Sequence, residues 1–426
     1  MIRILTYGQA PKEEIFARSL ETADVSGVVS QIIDQVRRRG DQALLDYAAA
    51  FDGGAPERLE VTREELDAAV SQVDPAFLAI LEQAAANIRD YHSRQVRSSF
   101  VISEQPGIVL GQKIIPLERV GLYVPGGTAA YPSTVLMDAI PAKIAGCGEL
   151  IMTTPAKNGV MNPVILAAAK VAGVDRIFKT GGAQAIAALA YGTESIPRVD
   201  KIVGPGNAYV AQAKRQVYGQ VAIDMIAGPS EILIVADETC QARHVAADLL
   251  SQAEHDKLAS PVLITTSPDL AREVQQELER QLARLPREEI ARAAVENNGK
   301  IILVDSIAQA IDLSNELAPE HLELCLDNPF DYLDRVKHAG SVFLGKNCPE
   351  ALGDYFAGPN HTLPTSGTAR FSNPLSVDDF VKKTQFTYYT AQALEQVSGS
   401  IAAFARQEGL EGHARSVEGR FEEAEA

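Results

Sequence analysis

Four stretches of the chain carry side chains whose types and spacing could do chemistry. In Leu249-Leu250-Ser251-Gln252-Ala253-Glu254-His255-Asp256, Gln252 and His255 close a helical run that begins near Cys240 and carries Val245, Ala246, Leu249, Leu250 and Ala253 at helix-like spacing. Residues three apart share a helix face, so an amide oxygen and an imidazole could reach one ion. Taken alone, the pair reads as readily as a capping Gln and a cationic His at a helix C-terminus. Ala318-Pro319-Glu320-His321-Leu322 sets a carboxylate beside an imidazole. At a turn after Pro319 both could enter one cleft as an acid/base pair, although a helix-terminal His with a solvated Glu has the same spelling. The stretch from Ala351 to Thr365 is rich in Gly, Pro, Asp, Asn and His; it reads as a functional loop in which Asp354 supplies an oxygen ligand. Near the C-terminus, Glu408-Gly409-Leu410-Glu411-Gly412-His413 offers one more carboxylate and imidazole.

Something must position these groups. Residues 22–50 and 62–96 read as two amphipathic helices, with Asp24 or Ser26 capping the first and a Thr62/Glu65 capping box opening the second. Residues 107–124 read as a hairpin-like pair, Ile108-Val109-Leu110 and Val120-Gly121-Leu122-Tyr123, ending in Val124-Pro125-Gly126-Gly127, where a new domain could begin. From there strands and helices alternate. Helices are expected at 133–146, at 161–172, after Thr180-Gly181-Gly182-Ala183-Gln184 and from Gly204-Pro205-Gly206-Asn207 through Tyr218. Strands are expected at 150–154, 176–179 and 201–203. Such alternation means βαβ units around a parallel sheet. The glycine turns would then sit at the sheet's carboxyl edge, where a phosphate or ribose can approach the backbone. The dinucleotide fingerprint is incomplete, because Tyr209 stands where a third glycine should be. A nucleotide site and a pair of ordinary tight turns therefore both remain open on this motif. Ala227-Gly228-Pro229-Ser230 leads into a strand at 231–236 and a second block follows: strand 261–266, a helix capped by Ser267 with Pro268 at its first position, strand 300–304, and a helix from Ser306 to Leu317. Two similar blocks suggest two related domains facing each other across a cleft.

Composition bounds the function. The length of 426 residues suits two or three domains, and 46% hydrophobic with 22% charged content is that of a soluble globular protein. A net charge of −17 argues against a nucleic-acid partner and suits a cationic small molecule. No apolar run reaches the ~18 residues of a membrane span, and Met1–Tyr7 does not read as a signal peptide. Cys147, Cys240, Cys325 and Cys348 are scattered without metal-type spacing, which implies reduced thiols in a cytoplasm.

Taken together, Ser-Gln-Ala-Glu-His, Ala-Pro-Glu-His-Leu, Gly-Pro-Gly-Asn-Ala, Ala-Gly-Pro-Ser-Glu and Asn-His-x-Leu-Pro-Thr make the chain from about residue 20 to 420 similar to the histidinol dehydrogenase family. The resemblance implies an α/β fold of two facing domains with incomplete Rossmann-like parallel sheets, plus N-terminal helices and an extended C-terminal dimerisation arm. The division it suggests is an N-terminal segment 1–20; a first domain of 21–122 with 232–375, holding the metal and the catalytic residues; a second, NAD-binding domain at 123–231; and an arm at 376–426 reaching the partner subunit. It implies one zinc per subunit on Gln252, His255, Asp354 and His413; substrate contacts from these four with Ser230, His321, His361 and Glu408; and NAD contacts from Tyr123, Gln184 and Asn207. Two NAD per turnover would serve a four-electron oxidation of L-histidinol through L-histidinal to L-histidine. His321 would be the base in both oxidations and Glu320 would activate water for the second. The implied assembly is a homodimer with tail-swapped active sites, with neither nucleic acid nor membrane as partner. Thr362 departs from the Val often found there in the family. Three rivals stand beside this reading: a thiol-dependent aldehyde dehydrogenase with Cys147 as nucleophile, a module with a structural zinc, and a hydrolytic zinc enzyme.

Overall fold

The computed structural model describes residues 1–18, 24–126 and 130–422. Gly127 of the expected turn and the first two residues of the expected 22–50 helix lie outside the described residues. In chain order the strands are β1 (Arg3–Thr6), β2 (Phe100–Ile102), β3 (Ile108–Pro116), β4 (Arg119–Tyr123), β5 (Glu149–Thr154), β6 (Arg176–Lys179), β7 (Lys201–Val203), β8 (Ala222–Ile223), β9 (Glu231–Ala236), β10 (Ser260–Thr265), β11 (Lys300–Leu303), β12 (His321–Cys325), β13 (Ser341–Leu344) and β14 (Val381–Tyr389). They fall into two compact units, Met1–Val96 with Leu117–Phe380, and Arg97–Pro116 with Val381–Ala426.

The first unit holds two parallel sheets, as the alternation of strands and helices requires. One runs β6-β5-β4-β7-β8 and the other β1-β11-β10-β9-β12-β13. Both reverse direction in the middle, between β4 and β7 in the first and between β9 and β12 in the second. Side-chain alternation sorts each strand onto two faces. Along β9, Ile232, Ile234 and Ala236 pack with the Ala242–Ala253, Pro268–Leu282 and Glu288–Asn297 helices, whereas Leu233 and Val235 pack under the Ile307–Leu317 helix. On β12, Leu322 and Leu324 take the latter face and Cys325 the former. His321 and Glu323 therefore point to the face covered by the Ala242–Ala253 helix.

Local chemistry explains the element boundaries. Thr62 and Glu65 make a complete capping box for the Arg63–Val70 helix. The expected 62–96 helix is two pieces, because Asp74 caps a new helix whose first residue is Pro75. The expected 22–50 helix is also two, Ser26–Arg39 and Asp41–Phe51, broken at Gly40, whose φ of 52° is left-handed. The hairpin expected over 107–124 does not form. β3 pairs antiparallel with β2 and, along its whole length, with β14, while β4 enters the parallel sheet between β5 and β7. The second unit consists of that β2-β3-β14 sheet and the Ala391–Gln407 helix, capped by Thr390 and closed against the Glu411–Glu418 helix by Ala402, Ala405 and Ala414. Among the described residues no helix is long and apolar enough to cross a membrane.

A buried ion pair fixes the glycine turn after β7. Lys214 and Asp224, with 2% and 1% of their side chains exposed, pair directly. Lys214 Nζ donates to the Gly204 carbonyl at 2.9 Å and Asp224 accepts from the Gly204 amide at 2.8 Å. Gly204 has φ 113°, and a Cβ there would collide with the Tyr123 carbonyl. Removing one partner strands the other charge, so Asp224→Ala should lower unfolding free energy by ~3–5 kcal/mol in urea titrations, with a smaller loss in Lys214→Met/Asp224→Leu. Equal losses in the two proteins would contradict this account.

Candidate active site

The site gathers at the amino ends of β9 and β12. His321 is the first residue of β12 and lies beside Ile232 in register. Its Nδ1 is 2.9 Å from the Glu231 carbonyl oxygen, which can only accept. In the neutral imidazole Nδ1 therefore carries the hydrogen and Nε2 keeps a lone pair. Nε2 is buried without a hydrogen-bond partner and sits 3.8 Å from Asp354 Oδ1. Glu320 Oε2 accepts from the Glu231 amide at 2.8 Å and lies 3.5 Å from His321 Nδ1. Pro319 and the left-handed Ala318 (φ 46°) make the turn that lets two sequence neighbours enter one site. Burial opposes charge on His321, but Glu320 and Asp354 outweigh it and hold the imidazole well above its usual range.

Asp354 lies on a short helix, Glu350–Tyr355, and not in the loop expected from its glycines and prolines. Gly353 is needed within that helix because a Cβ would run into the Phe343 ring. Burial opposes ionisation of Asp354, yet the His321 and His361 imidazoles outweigh it and hold its carboxyl well below the usual carboxylate range. His361 Nδ1 is 3.1 Å from the Asp354 carbonyl, and burial lowers its own pKa. A cavity of about 120 Å³ is lined by His321, Asp354, His361, Asn360, Phe343 and Cys348.

Gln252 is buried in the last turn of the Ala242–Ala253 helix, and His255 lies just past its C-cap, half-buried. The same helix end reaches the Asp354 helix through Ser251 Oγ, which donates to Glu350 Oε2 at 2.8 Å. Ser230 is half-buried immediately before β9. Glu408 caps the Ala391–Gln407 helix and His413 lies in the Glu411–Glu418 helix; both are exposed members of the second unit.

Several carboxyls here escaped the motif reading. Glu350 Oε1 is buried and unpartnered, and His321, Glu350 and Asp354 bring one ligand atom each to within 4.8 Å of one another. Of this cluster only Asp354 belongs to the ligand set that the resemblance implies for zinc; its carboxylate oxygen suits such a cation, while His321 Nε2 stays unpartnered beside it. Behind it, burial and then Asp248 push Glu323 up to about 8, and burial pushes Asp248 up to about 6 while the two carboxyls hydrogen-bond. Glu350 is pushed up to about 8 by burial and Asp354. The signal was available for Glu323, which stands two residues from His321 on a strand and must share its face.

At the β4/β7 reversal, Tyr123 ends β4 and its hydroxyl accepts from the Gly182 amide at 3.1 Å. Gln184 is buried in the first turn of the Gly182–Tyr191 helix. Asn207 caps the Ala208–Val217 helix, its Oδ1 accepting from the amides of Tyr209 and Val210 at 3.1 and 3.2 Å. Two helix N-termini and a glycine-rich turn thus lie at a carboxyl edge, a setting suited to a nucleotide's phosphates or riboses. The Pro132–Ala145 helix joins this edge to the loop that carries His361: Asn360 Nδ2 donates to the Met137 carbonyl at 2.7 Å and Thr362 Oγ1 to Asp138 Oδ1 at 3.0 Å. Cys147 is buried, and burial pushes its thiol up to about 11, the reverse of what a thiolate nucleophile needs.

A buried carboxyl–imidazole pair at one parallel sheet, beside donors that could hold a cation, and helix N-termini at the carboxyl edge of a second sheet suit an oxidoreductase. The profile of the histidinol dehydrogenase family matches residues 17–421. Histidinol dehydrogenase of Clostridium acetobutylicum is 55% identical over 427 residues, covering 99% of each chain, and that of Bacillus cereus is 58% identical over 395 residues, covering 93% of this chain and 92% of its own. The crystal structure of histidinol dehydrogenase from Elizabethkingia anophelis superimposes with a TM-score of 0.93 at 38% identity, over 99% of this chain and 98% of that one. The chain belongs to the histidinol dehydrogenase family.

The buried carboxyls give a pH dependence. Glu323 and Glu350 titrate near 8 in the folded chain and near the ordinary 4.5 when unfolded, so between those values the native state holds more protons. Stability must then fall as pH rises through this window. Metal-free protein should melt at a lower temperature at about pH 8.5 than at about pH 6, and Glu323→Gln, which cannot ionise, should flatten that slope. A slope unchanged by the substitution would mean that Glu323 is not the group being titrated.

Proposed function

We propose that the protein carries out the zinc-dependent, NAD-linked oxidation of L-histidinol through L-histidinal to L-histidine. The observation that carries this reading is His321. Its Nδ1 is committed to the Glu231 carbonyl and its Nε2 is left free beside Asp354, with Glu320 against the same ring. NAD, when bound, takes up the hydride of each oxidation, so two are used per turnover. Tyr123, Gln184 and Asn207 are the residues proposed to hold it. Gln252, His255 and Asp354, with His413 from a partner subunit, are proposed to hold one zinc, which supplies positive charge and orients the substrate's imidazole and amine. The proposed division places the NAD site in residues 123–231 and the metal and catalytic residues in 21–122 with 232–375.

The chain's own residues supply the proton chemistry. In the first oxidation His321 Nε2 takes the proton of the substrate hydroxyl. In the second, Glu320 takes a proton from water as that water adds to the aldehyde, His321 returns its proton to the aldehyde oxygen, and the neutral His321 then accepts a proton of the resulting hydrate. Asp354, His361 and Ser230 orient the substrate, and Glu408 offers a carboxylate to its cationic amine. The net charge of −17 suits such a substrate, and the reading places the enzyme in the cytoplasm.

The stoichiometry of the reaction tests this directly. Histidinol should yield NADH in a ratio near two, and protein stripped by a chelator should yield none until zinc is restored. A ratio near one would leave a simple alcohol dehydrogenase.

The proposed tail exchange has its own test. His255→Asn and His413→Asn proteins, each inactive, are co-refolded. If Glu408 and His413 serve the partner subunit, random mixing restores about a quarter of the sites, because half the dimers are mixed and one site in each is intact. No activity in a preparation that contains mixed dimers would assign the tail to its own subunit.

A further inference from the structure

Behind the acid/base pair lies another buried carboxyl, Glu231, that no step of the proposed reaction uses. Its backbone touches both catalytic residues: the amide donates to Glu320 Oε2 at 2.8 Å and the carbonyl accepts from His321 Nδ1 at 2.9 Å. Its side chain is buried too, 8% exposed, and Oε2 has no hydrogen-bond partner. An isolated carboxylate there would be costly, and one cation offsets it: Arg18 Nε lies 3.3 Å from Glu231 Oε1. Burial pushes Glu231 up to about 7, against the opposing pull of Arg18 and of the Glu320 and Ser366 amides.

Arg18 is not a loose surface side chain. Only 19% of it is exposed, and it also donates to the Leu317 carbonyl, one of the unsatisfied carbonyls at the end of the Ile307–Leu317 helix. A side chain at Gly367 would run into its guanidinium. The segment that delivers it is tethered by Lys300, 1% exposed, whose Nζ donates to the carbonyls of Glu14, Ile15 and Ala17 at 3.4, 3.0 and 2.7 Å. Lys300 opens β11, so the tether lies at the same amino edge as β9 and β12. An N-terminal segment distant in sequence is thus held in place to set one guanidinium beneath the acid/base pair.

We infer that Arg18 and Glu231 are positioning residues for Glu320. The Arg18 guanidinium fixes the Glu231 side chain, which fixes the start of β9, and the Glu231 amide then holds the Glu320 carboxylate in the orientation from which it serves the second oxidation. This rests on the proposed role of Glu320 in activating water. Arg18 acts through the Glu231 backbone; His321 also has the β9–β12 ladder behind it, whereas the Glu320 carboxylate is held by the Glu231 amide, so the loss of Arg18 weighs more on the step that needs Glu320 than on removal of the hydroxyl proton by His321.

The test compares NADH formation from histidinal with the first NADH formed from histidinol, in full-length zinc-loaded enzyme. Arg18→Gln and Glu231→Gln should each lower aldehyde oxidation roughly tenfold more than alcohol oxidation, the pattern expected of Glu320→Gln. Arg18→Lys, which keeps the charge, should recover part of the difference. Adding Arg18→Gln to Glu320→Gln should cost little more than Glu320→Gln alone, since both act on one group. Proportional losses on the two substrates, or additive losses in the double variant, would overturn the inference and leave Arg18 a packing residue. Glu320→Gln separates the two levels. If it is selective and Arg18→Gln is not, only the positioning role fails. If Glu320→Gln itself is unselective, the water-activating role falls, and the positioning role with it.

Discussion

The bond from His321 Nδ1 to the Glu231 carbonyl is the interaction on which the site depends. It crosses two parallel neighbours at the point where their sheet reverses, so it inherits the rigidity of the β9–β12 ladder. A carbonyl cannot donate, so the bond selects one tautomer without introducing a charge that would itself titrate. Nε2 faces the ionised Asp354, and that carboxylate, with Glu320, is what raises the proton affinity of a buried imidazole. It also explains why the pair stands at the amino edge of its sheet. There the strand starts offer unpaired backbone groups, and the Glu231 amide and carbonyl serve Glu320 and His321 in turn.

Much of the scaffold was legible because it is local. The Thr62/Glu65 box and the Ser267 cap before Pro268 both depend on residues within a few positions of one another. The motifs led to Glu320, His321, Asp354 and His361, and the fold gathers these four together. What escaped was non-local. Ile108–Leu110 and Val120–Tyr123 are neighbours with strand-like composition, but β3 finds its partner in Val381–Tyr389, and nothing in either segment names the other. Asp354 read as a loop residue because glycine and proline usually mark loops; here Gly353 is a packing requirement of the Phe343 ring inside a helix. Glu231, Glu350 and Asp248 are ordinary acidic residues in the sequence, and only burial gives them a chemical meaning.

The junction of the two sheets follows from a vacancy that proline creates. Pro141 lies inside the Pro132–Ala145 helix and has no N–H, so the Met137 carbonyl one turn earlier loses its helical donor. That carbonyl is buried and needs a partner. Asn360 Nδ2 supplies one, and Asn360 Oδ1 in turn accepts from the Thr362 amide at 2.8 Å. Thr362 then gives its hydroxyl to Asp138, a fully buried carboxyl whose pKa burial and the nearby Asp224 raise well above the usual range. A valine at 362 would fill the same volume but leave Asp138 Oδ1 without that donor. Since Asp138 Oδ2 already lacks a partner, the threonine is the polar contact that makes this acid tolerable. His361 lies between Asn360 and Thr362, with Nε2 3.4 Å from Thr134 Oγ1 on the same helix. Its ring is therefore placed from both sides by one helix that begins at the nucleotide-type edge. The loop that carries the imidazole facing Asp354 is in this way tied to a helix whose Asp138 also lies against the glycine turn after β7, where a Cβ at Gly204 would come within 3.0 Å of its Oδ2.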